Sequence, residues 1–230
     1  MKEKYVNKVI SFENVVRLDE SAYGIVQQKD INKIIKAFPP DAKIADVGCG
    51  FGISSTQLSK YFENVSACDI PNYVTDDTDV QEAVMKARGI DFIWSSIGKL
   101  PYEDQSFDAV LMYAVIEHVP DKVELLKECN RVLKPGGKLF MFRAVVKGAF
   151  AERLASKMGL INHREDVVTL PQMRNVISES GLSMDKWGYQ GWLPEAKLPK
   201  YLMYVVNIIL THMPLVRKLS HDFYFICTKR

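Results

Sequence analysis

One pattern recurs along the chain: a short apolar run, a turn, and a segment whose apolar residues repeat with helical period. Short strands that alternate with amphipathic helices are typical of an α/β fold with a mostly parallel sheet. We therefore predict a doubly wound α/β domain. Its predicted strands are 43–47, 65–68, 90–94, 107–113, 138–143, 182–189 and 222–228, and its predicted helices are 19–38, 53–62, 77–88, 121–133 and 169–181.

Several element ends carry their own signals. Pro39-Pro40 ends the first predicted helix. Asp121 and Glu124 have the spacing of a capping box at the start of the helix 121–133, and Pro135-Gly136-Gly137 follows its end. The last strand is apolar on both faces, so we expect it to be buried.

Composition narrows the functional classes. The 230 residues are 47% hydrophobic and 25% charged, which is typical of a globular domain and not of a disordered chain. The formal net charge is only +2, so we expect no nucleic-acid partner. The segment 1–5 has no apolar run behind it, and we therefore expect no secretory signal and a cytoplasmic location.

The four cysteines are widely separated and lack metal-ligand spacing. Small buried thiols explain such residues best, so we predict free, buried cysteines and no metal site. They are Cys49, Cys68, Cys129 and Cys227.

A glycine-rich turn, Asp46-Val47-Gly48-Cys49-Gly50-Phe51-Gly52, follows the first predicted strand. Glycines at the carboxyl end of a parallel strand let the backbone approach a ligand closely, and open α/β sheets bind ligands at that edge. The dinucleotide fingerprint G-x-G-x-x-G counted from Gly48 requires a glycine where the chain has Ile53. The lysine of a P-loop is also missing from the run. The turn therefore argues against a dinucleotide or nucleoside triphosphate ligand.

Further segments follow the turn in a fixed order, and with them the chain resembles the class I S-adenosylmethionine-dependent methyltransferases over residues 44–142. The resemblance implies a Rossmann-like sheet of seven strands with the last strand antiparallel, in a single domain over 1–230. It also implies a helical cap over 1–40, a helical insertion over 190–220, and S-adenosylmethionine as cofactor. The segments that carry it are Asp46–Gly52, Val65–Ile70, Leu100–Val110, Ile116–Val119 and Leu133–Leu139.

The resemblance also implies a set of cofactor-binding residues. The glycine turn bends around the methionine part, with Asp46 fixing the turn or reaching the amino group through water. Asp69 accepts from the ribose hydroxyls, as a carboxylate can do for two donors at once, and Ile70 lies against adenine. Ser96 stands where relatives commonly carry an acidic residue, so we expect weaker anchoring of adenine. The complete predicted set is Asp46, Gly48, Cys49, Gly50, Gly52, Asp69, Ile70, Ser96, Ile97 and Tyr113.

Catalytic candidates are fewer. His118 follows the fourth strand at the ligand edge, where its imidazole suits a general base for a hydroxyl acceptor. A purely structural role, orienting its loop or starting the next helix, explains His118 equally well. His163 is a second candidate, because this region faces the substrate in relatives. Tyr23 suits either a lid over the cofactor or the core.

Residues 198–219 are rich in aliphatic side chains and are flanked by basic ones. The apolar stretch is too short and too broken to span a bilayer. It suits an interfacial helix that recognises a lipid-linked acceptor. We favour instead a helix that covers the acceptor pocket or packs in a homodimer.

We predict methyl transfer from S-adenosylmethionine to a small-molecule acceptor, at oxygen rather than nitrogen or carbon. Candidate acceptors are sugar, quinone-like or lipid-linked biosynthetic intermediates. The chain has neither the N-P-P-Y run nor the P-C dipeptide of enzymes that methylate nucleic-acid bases. Two other classes stay open. One is a nicotinamide-dependent oxidoreductase, against which Ile53 argues, and the other is a non-catalytic cofactor-binding subunit.

Overall fold

Residues 22–71, 78–96, 98–145, 168–190 and 222–230 are described by the structure, which is a computed structural model. Within these ranges the elements follow the predicted order. The strands are β1 (Lys43–Val47), β2 (Asn64–Asp69), β3 (Asp91–Trp94), β4 (Phe107–Tyr113), β5 (Leu133–Val145), β6 (Leu182–Gln190) and β7 (Asp222–Lys229). The α-helices are α1 (Ala22–Ile35), α2 (Ile53–Ser59), α3 (Thr78–Ala87), α4 (Lys122–Val132) and α5 (Leu170–Glu179), and a short 3-10 helix spans Ile116–His118.

All seven strands form one sheet in the order β3-β2-β1-β4-β5-β7-β6. The strands β1 to β5 pair in parallel, whereas β7 runs antiparallel to both β5 and β6. The predicted doubly wound sheet with an antiparallel last strand is therefore confirmed. Because β7 lies between two strands and buries Phe223, Phe225 and Cys227, its predicted burial is confirmed as well.

The sheet has a hydrophobic core on each face, because successive strand residues point to opposite sides. On one face, Val110 of β4 belongs to the same buried cluster as Leu126 of α4. On the other face, the next residue, Leu111, shares a cluster with Ile34 of α1 and Leu58 of α2. This packing fixes the helices against the sheet and leaves the carboxyl ends of the parallel strands at one common edge.

Two helices begin with side-chain caps. The Asp121 carboxylate accepts from the backbone N–H of Glu124 at 2.9 Å, which is one half of the predicted capping box. Thr169 and Gln172 form a reciprocal box at α5. β5 begins at Leu133, earlier than predicted, because Leu133 already pairs with Phe107 before the register shifts.

All four cysteines are free and buried, as predicted. Within the described residues, no helix is long and apolar enough to cross a membrane. Several predictions concern parts of the chain outside the described residues. These are Ile97, His163, the side chain of Tyr23, residues 1–21 of the cap, the insertion beyond Gln190, and the segment 198–219.

Gly48 is required by packing as well as by backbone conformation. Its φ is 73°, and a Cβ at this position would lie 2.6 Å from Cγ2 of Val115, a stiff β-branched side chain. Gly89 is a matched control, since its φ is 67° but nothing lies within 4 Å of an added Cβ.

We expect Gly89→Ala to cost about 1–2 kcal/mol for its left-handed backbone. Gly48→Ala should cost about 1–3 kcal/mol more, because the loop or the Val115 side chain must move. Urea denaturation of both variants measures the difference. Equal destabilisation would show that the contact with Val115 does not restrict this position.

Candidate functional site

A cavity of about 260 Å³ opens at the carboxyl ends of β1, β2 and β4. Parallel strands end at the same edge, so residues that are distant in sequence meet there. Most of the predicted site residues line this cavity. They are Gly48, Cys49, Gly50, Asp69, Ile70, Ser96, Tyr113 and His118.

The glycine turn between β1 and α2 forms one wall of the cavity. Gly48, Gly50 and Gly52 have φ values of 73°, 55° and 74°, which is backbone that residues with a side chain rarely adopt. The N–H groups of Gly48 and Cys49 donate to the Cys68 carbonyl at 2.8 and 3.2 Å, which ties the start of the turn to β2. The turn therefore presents backbone to the cavity at close range.

Asp69 joins the turn to the end of β2. Its Oδ2 accepts from the Gly50 N–H at 2.6 Å and its Oδ1 accepts from the Ile70 N–H at 2.7 Å. A carboxylate has about four acceptor positions, so both oxygens can still accept from a ligand. Burial raises the pKa of the Asp69 carboxyl, whereas the two N–H groups oppose this rise.

Asp46 lies beneath the turn and does not line the cavity. Its side chain is fully buried, and its Oδ2 accepts from the Ser55 hydroxyl at 2.6 Å. Burial raises the pKa of the Asp46 carboxyl to about 7, and the nearby charge of Asp69 adds to the rise. Asp46 thus holds the start of α2 against β1. Gly52 likewise lies outside the cavity lining, at the N-cap of α2.

Cys49 lines the cavity as a neutral group. Its side chain is buried, and this burial raises the pKa of the thiol well above its ordinary value. Because a thiolate is the reactive form of cysteine, Cys49 is poorly suited to nucleophilic catalysis.

His118 ends the 3-10 helix that follows β4 and is partly exposed to the cavity. Its Nε2 lies 3.8 Å from Oε1 of Glu117, whose side chain is buried. A neighbouring carboxylate stabilises the imidazolium form of histidine. The turn after His118 is fixed by Lys122, whose ammonium donates to the Val119 carbonyl at 2.6 Å. The arrangement can therefore take up a proton at the cavity wall.

Tyr113 ends β4 and connects the cavity to α1. Its hydroxyl lies 3.5 Å from Oδ2 of Asp30, a buried carboxylate that also pairs with Lys33. One turn earlier on α1, the Gln27 amide donates to the Ser54 hydroxyl, and both residues line the cavity.

Several residues that line the cavity were not predicted from the sequence. Gln27 could have been predicted to face inward, because it lies four residues before Ile31 and therefore on the inner face of the predicted first helix. The aliphatic residues of the wall could not have been predicted, because aliphatic residues near strand ends are ordinarily part of the core. The lining residues that were not predicted are Gln27, Val47, Phe51, Ile53, Ser54, Cys68, Ser95, Leu100, Ala114, Val115, Val119 and Leu125.

The cavity fits an adenosyl sulfonium. A glycine backbone wall admits a ligand closely, and a carboxylate with spare acceptor positions matches a pair of ribose hydroxyls. Aliphatic residues, among them Leu100 and Val119, supply apolar surface for a flat ring.

Comparison with known proteins agrees with this geometry. Residues 45–141 match the methyltransferase domain family. This part of the chain therefore carries a methyltransferase domain. S-adenosylmethionine is its cofactor and methyl transfer its reaction, so the nicotinamide alternative is not supported.

A ubiquinone biosynthesis O-methyltransferase of Xanthomonas axonopodis pv. citri is 28% identical over 188 residues, which cover 74% of this chain and 77% of that protein. Solved structures show the same fold. A S-adenosylmethionine-dependent methyltransferase of Thermotoga maritima aligns with a TM-score of 0.61 and 17% identity, over 96% of this chain and 95% of that one. A Haemonchus contortus phosphoethanolamine N-methyltransferase, solved with S-adenosylhomocysteine, aligns with a TM-score of 0.64 and 17% identity, over 98% of this chain and 60% of that one.

Asp69→Ala should weaken the binding of S-adenosylhomocysteine by about 1–3 kcal/mol. The change removes the carboxylate that we predict to accept from the ribose and also releases the Gly50 N–H. Calorimetric titration measures the affinity, with Glu63→Ala as a control that removes an exposed carboxylate. An unchanged affinity in the Asp69 variant would show that the ribose binds elsewhere.

Asp46→Asn should make the free energy of unfolding depend less on pH. The pKa of Asp46 is about 7 in the folded chain, whereas an ordinary aspartate has a pKa of 3.8. At a pH between these two values, Asp46 holds a proton in the folded chain that it has lost in the unfolded chain. The free energy of unfolding of the native protein therefore falls as pH rises through that window, and Asn removes this loss.

Relative to the native protein, Asp46→Asn should gain about 1–3 kcal/mol of stability between about pH 4.5 and pH 7.5. Urea denaturation at several pH values measures the gain, with Glu63→Gln as the charge-matched control. A stability difference that is constant across this range would contradict the raised pKa.

Proposed function

We propose that the chain methylates a hydroxyl oxygen of a small, ring-containing biosynthetic intermediate of the quinone-like type. One observation carries the proposal: the cavity that joins the glycine turn and Asp69 also contains His118 beside a buried carboxylate and an apolar wall. The similarity to a protein named as a ubiquinone biosynthesis O-methyltransferase supports the same acceptor class.

The cofactor would lie along the edge formed by β3, β2, β1 and β4. Asp69 would accept from the ribose hydroxyls, with Ile70 and Ser96 beside adenine. The predicted contact of Ile97 with adenine concerns a residue outside the described ones. The glycine turn, with Cys49, would face the methionine part, and Tyr113 would close the cavity at the β4 end. Asp46 and Gly52 would act on the cofactor through the shape of the turn.

When bound, the cofactor supplies an electrophilic methyl group on a sulfonium. The protein's contribution is to hold the acceptor oxygen in line with this group and to exclude water. His118 would take the proton of the acceptor hydroxyl as the new bond to oxygen forms, and Glu117 would stabilise the resulting imidazolium. Val115 and Leu125 would pack against the acceptor ring.

We place the enzyme in the cytoplasm, as a single domain over 1–230 with a helical cap and a helical insertion, acting on a small molecule and not on nucleic acid. The segment 198–219 would cover the acceptor pocket or pack in a homodimer rather than contact a membrane. His163 stays a second candidate base.

Incubation with methyl-labelled cofactor and catechol, a simple ring with two hydroxyls, tests the activity. We expect a methoxy product, and His118→Gln should lower kcat/KM by about 10²- to 10⁴-fold, as expected for loss of a general base. The rise of kcat/KM with pH that reports the imidazole should also be lost.

Affinity for S-adenosylhomocysteine is the control and should be unchanged by His118→Gln. If neither catechol nor fractionated cell extract accepts the label, the proposed class of acceptor is wrong. An unaltered pH profile in the variant would assign His118 a structural role.

A further inference from the structure

We infer that α3 is a clamp for the glycine turn and that Gln81 and Arg88 are positioning residues for the cofactor. Neither residue is among those that line the cavity, yet both hold the turn from behind. The inference rests on the placement of the cofactor against this turn, as proposed above.

Gln81 fixes the middle of the turn. Its side chain is fully buried, and its amide Nε2 donates to the Gly50 carbonyl at 2.6 Å. The Gly50 N–H donates to Asp69, also at 2.6 Å, so hydrogen bonds hold this residue at both its N–H and its carbonyl. Within the described residues, Oε1 of Gln81 has no hydrogen-bond partner. Burying this amide is therefore costly, and the bond to Gly50 is the interaction that offsets the cost.

Arg88 fixes the end of the turn. Its Nη1 donates to the Thr56 hydroxyl at 2.7 Å and to the Gly52 carbonyl at 3.1 Å, and it lies 3.4 Å from the Phe51 carbonyl. A guanidinium group suits this role because several N–H donors are held in a rigid plane.

Met85 completes the contact face of α3. A Cβ on Gly52 would lie 2.5 Å from its Sδ, so α3 approaches the turn as closely as a glycine allows. Gln81 and Met85 are four residues apart, which places them on one side of α3, and Arg88 follows directly after the last residue of the helix. One face of α3 is thus devoted to the glycine turn.

The turn needs such support because of its composition. Glycine loses more conformational freedom on ordering than any other residue, and the turn has three. Backbone bonds hold Gly48, Cys49 and Gly52. The N–H and the carbonyl of Gly50 are held instead by the side chains of Asp69 and Gln81, and Arg88 adds a side-chain donor at the Gly52 carbonyl. Because the turn is ordered before the cofactor binds, less conformational entropy is lost on binding.

Calorimetric titration with S-adenosylhomocysteine tests the clamp without an acceptor. Gln81→Met keeps the length and helix propensity of the side chain but removes the donor, and it should weaken binding by about 3- to 10-fold. Lys86→Met, an exposed change on the same helix, should leave the affinity unchanged. If Gln81→Met does not fold, Arg88→Met replaces it with the same expectation.

Gln81→Glu gives a signature that a merely structural role would not produce. Its carboxyl can donate to the Gly50 carbonyl when protonated and repels that carbonyl when ionised. Its affinity relative to the native protein should therefore fall as pH rises, whereas that of Gln81→Met should not change with pH.

The outcomes separate the clamp from the cofactor placement. If Asp69→Ala weakens binding but neither Gln81→Met nor Arg88→Met does, the placement stands and the clamp is overturned. If Asp69→Ala also leaves binding unchanged, both are overturned. An affinity of Gln81→Glu that follows the native protein at every pH likewise contradicts the clamp.

Discussion

The hydrogen bond from the Gly50 N–H to Asp69 connects the two parts of the site that must act together. It joins a turn that follows β1 to the last residue of β2, and the register of these neighbouring parallel strands brings the two within reach. The same carboxylate fixes the first residue after β2 through the Ile70 N–H. The glycine turn and the Asp69 carboxylate are therefore held together by hydrogen bonds, and the cofactor would bind to a surface that is ordered beforehand.

This arrangement has an electrostatic cost. Asp46 and Asp69 are both buried near each other, and burial raises the pKa of each carboxyl. Asp69 receives the backbone N–H groups of two residues, whereas Asp46 is bonded by Ser55 alone and has an Oδ1 without a hydrogen-bond partner within the described residues. The charged form of Asp46 therefore lowers the stability of the fold. Its place beneath the turn is explained by the way it positions α2 through Ser55, and not by a gain in stability.

Local patterns predicted most of the fold because each element carries its own signal. The apolar run of β4, the alternation of β7 and the caps at Asp121 and Thr169 are read directly from the sequence. The role of α3 could not be read in this way. Gln81 and Arg88 resemble ordinary helix residues, and their contacts with the turn arise only when β1, β2 and β3 pair. Likewise, Asp46 looks like a ligand residue in sequence, and only its depth beneath the turn shows that it acts on α2.

The central claim is that the cofactor binds against the glycine turn, above Asp69. Nuclear magnetic resonance of the ¹⁵N-labelled protein tests it directly, through the backbone amide signals of Gly50 and Ile70. Addition of S-adenosylhomocysteine should shift both signals strongly, and addition of NAD should leave them in place. Signals that do not respond to S-adenosylhomocysteine, or that respond equally to NAD, would contradict the account.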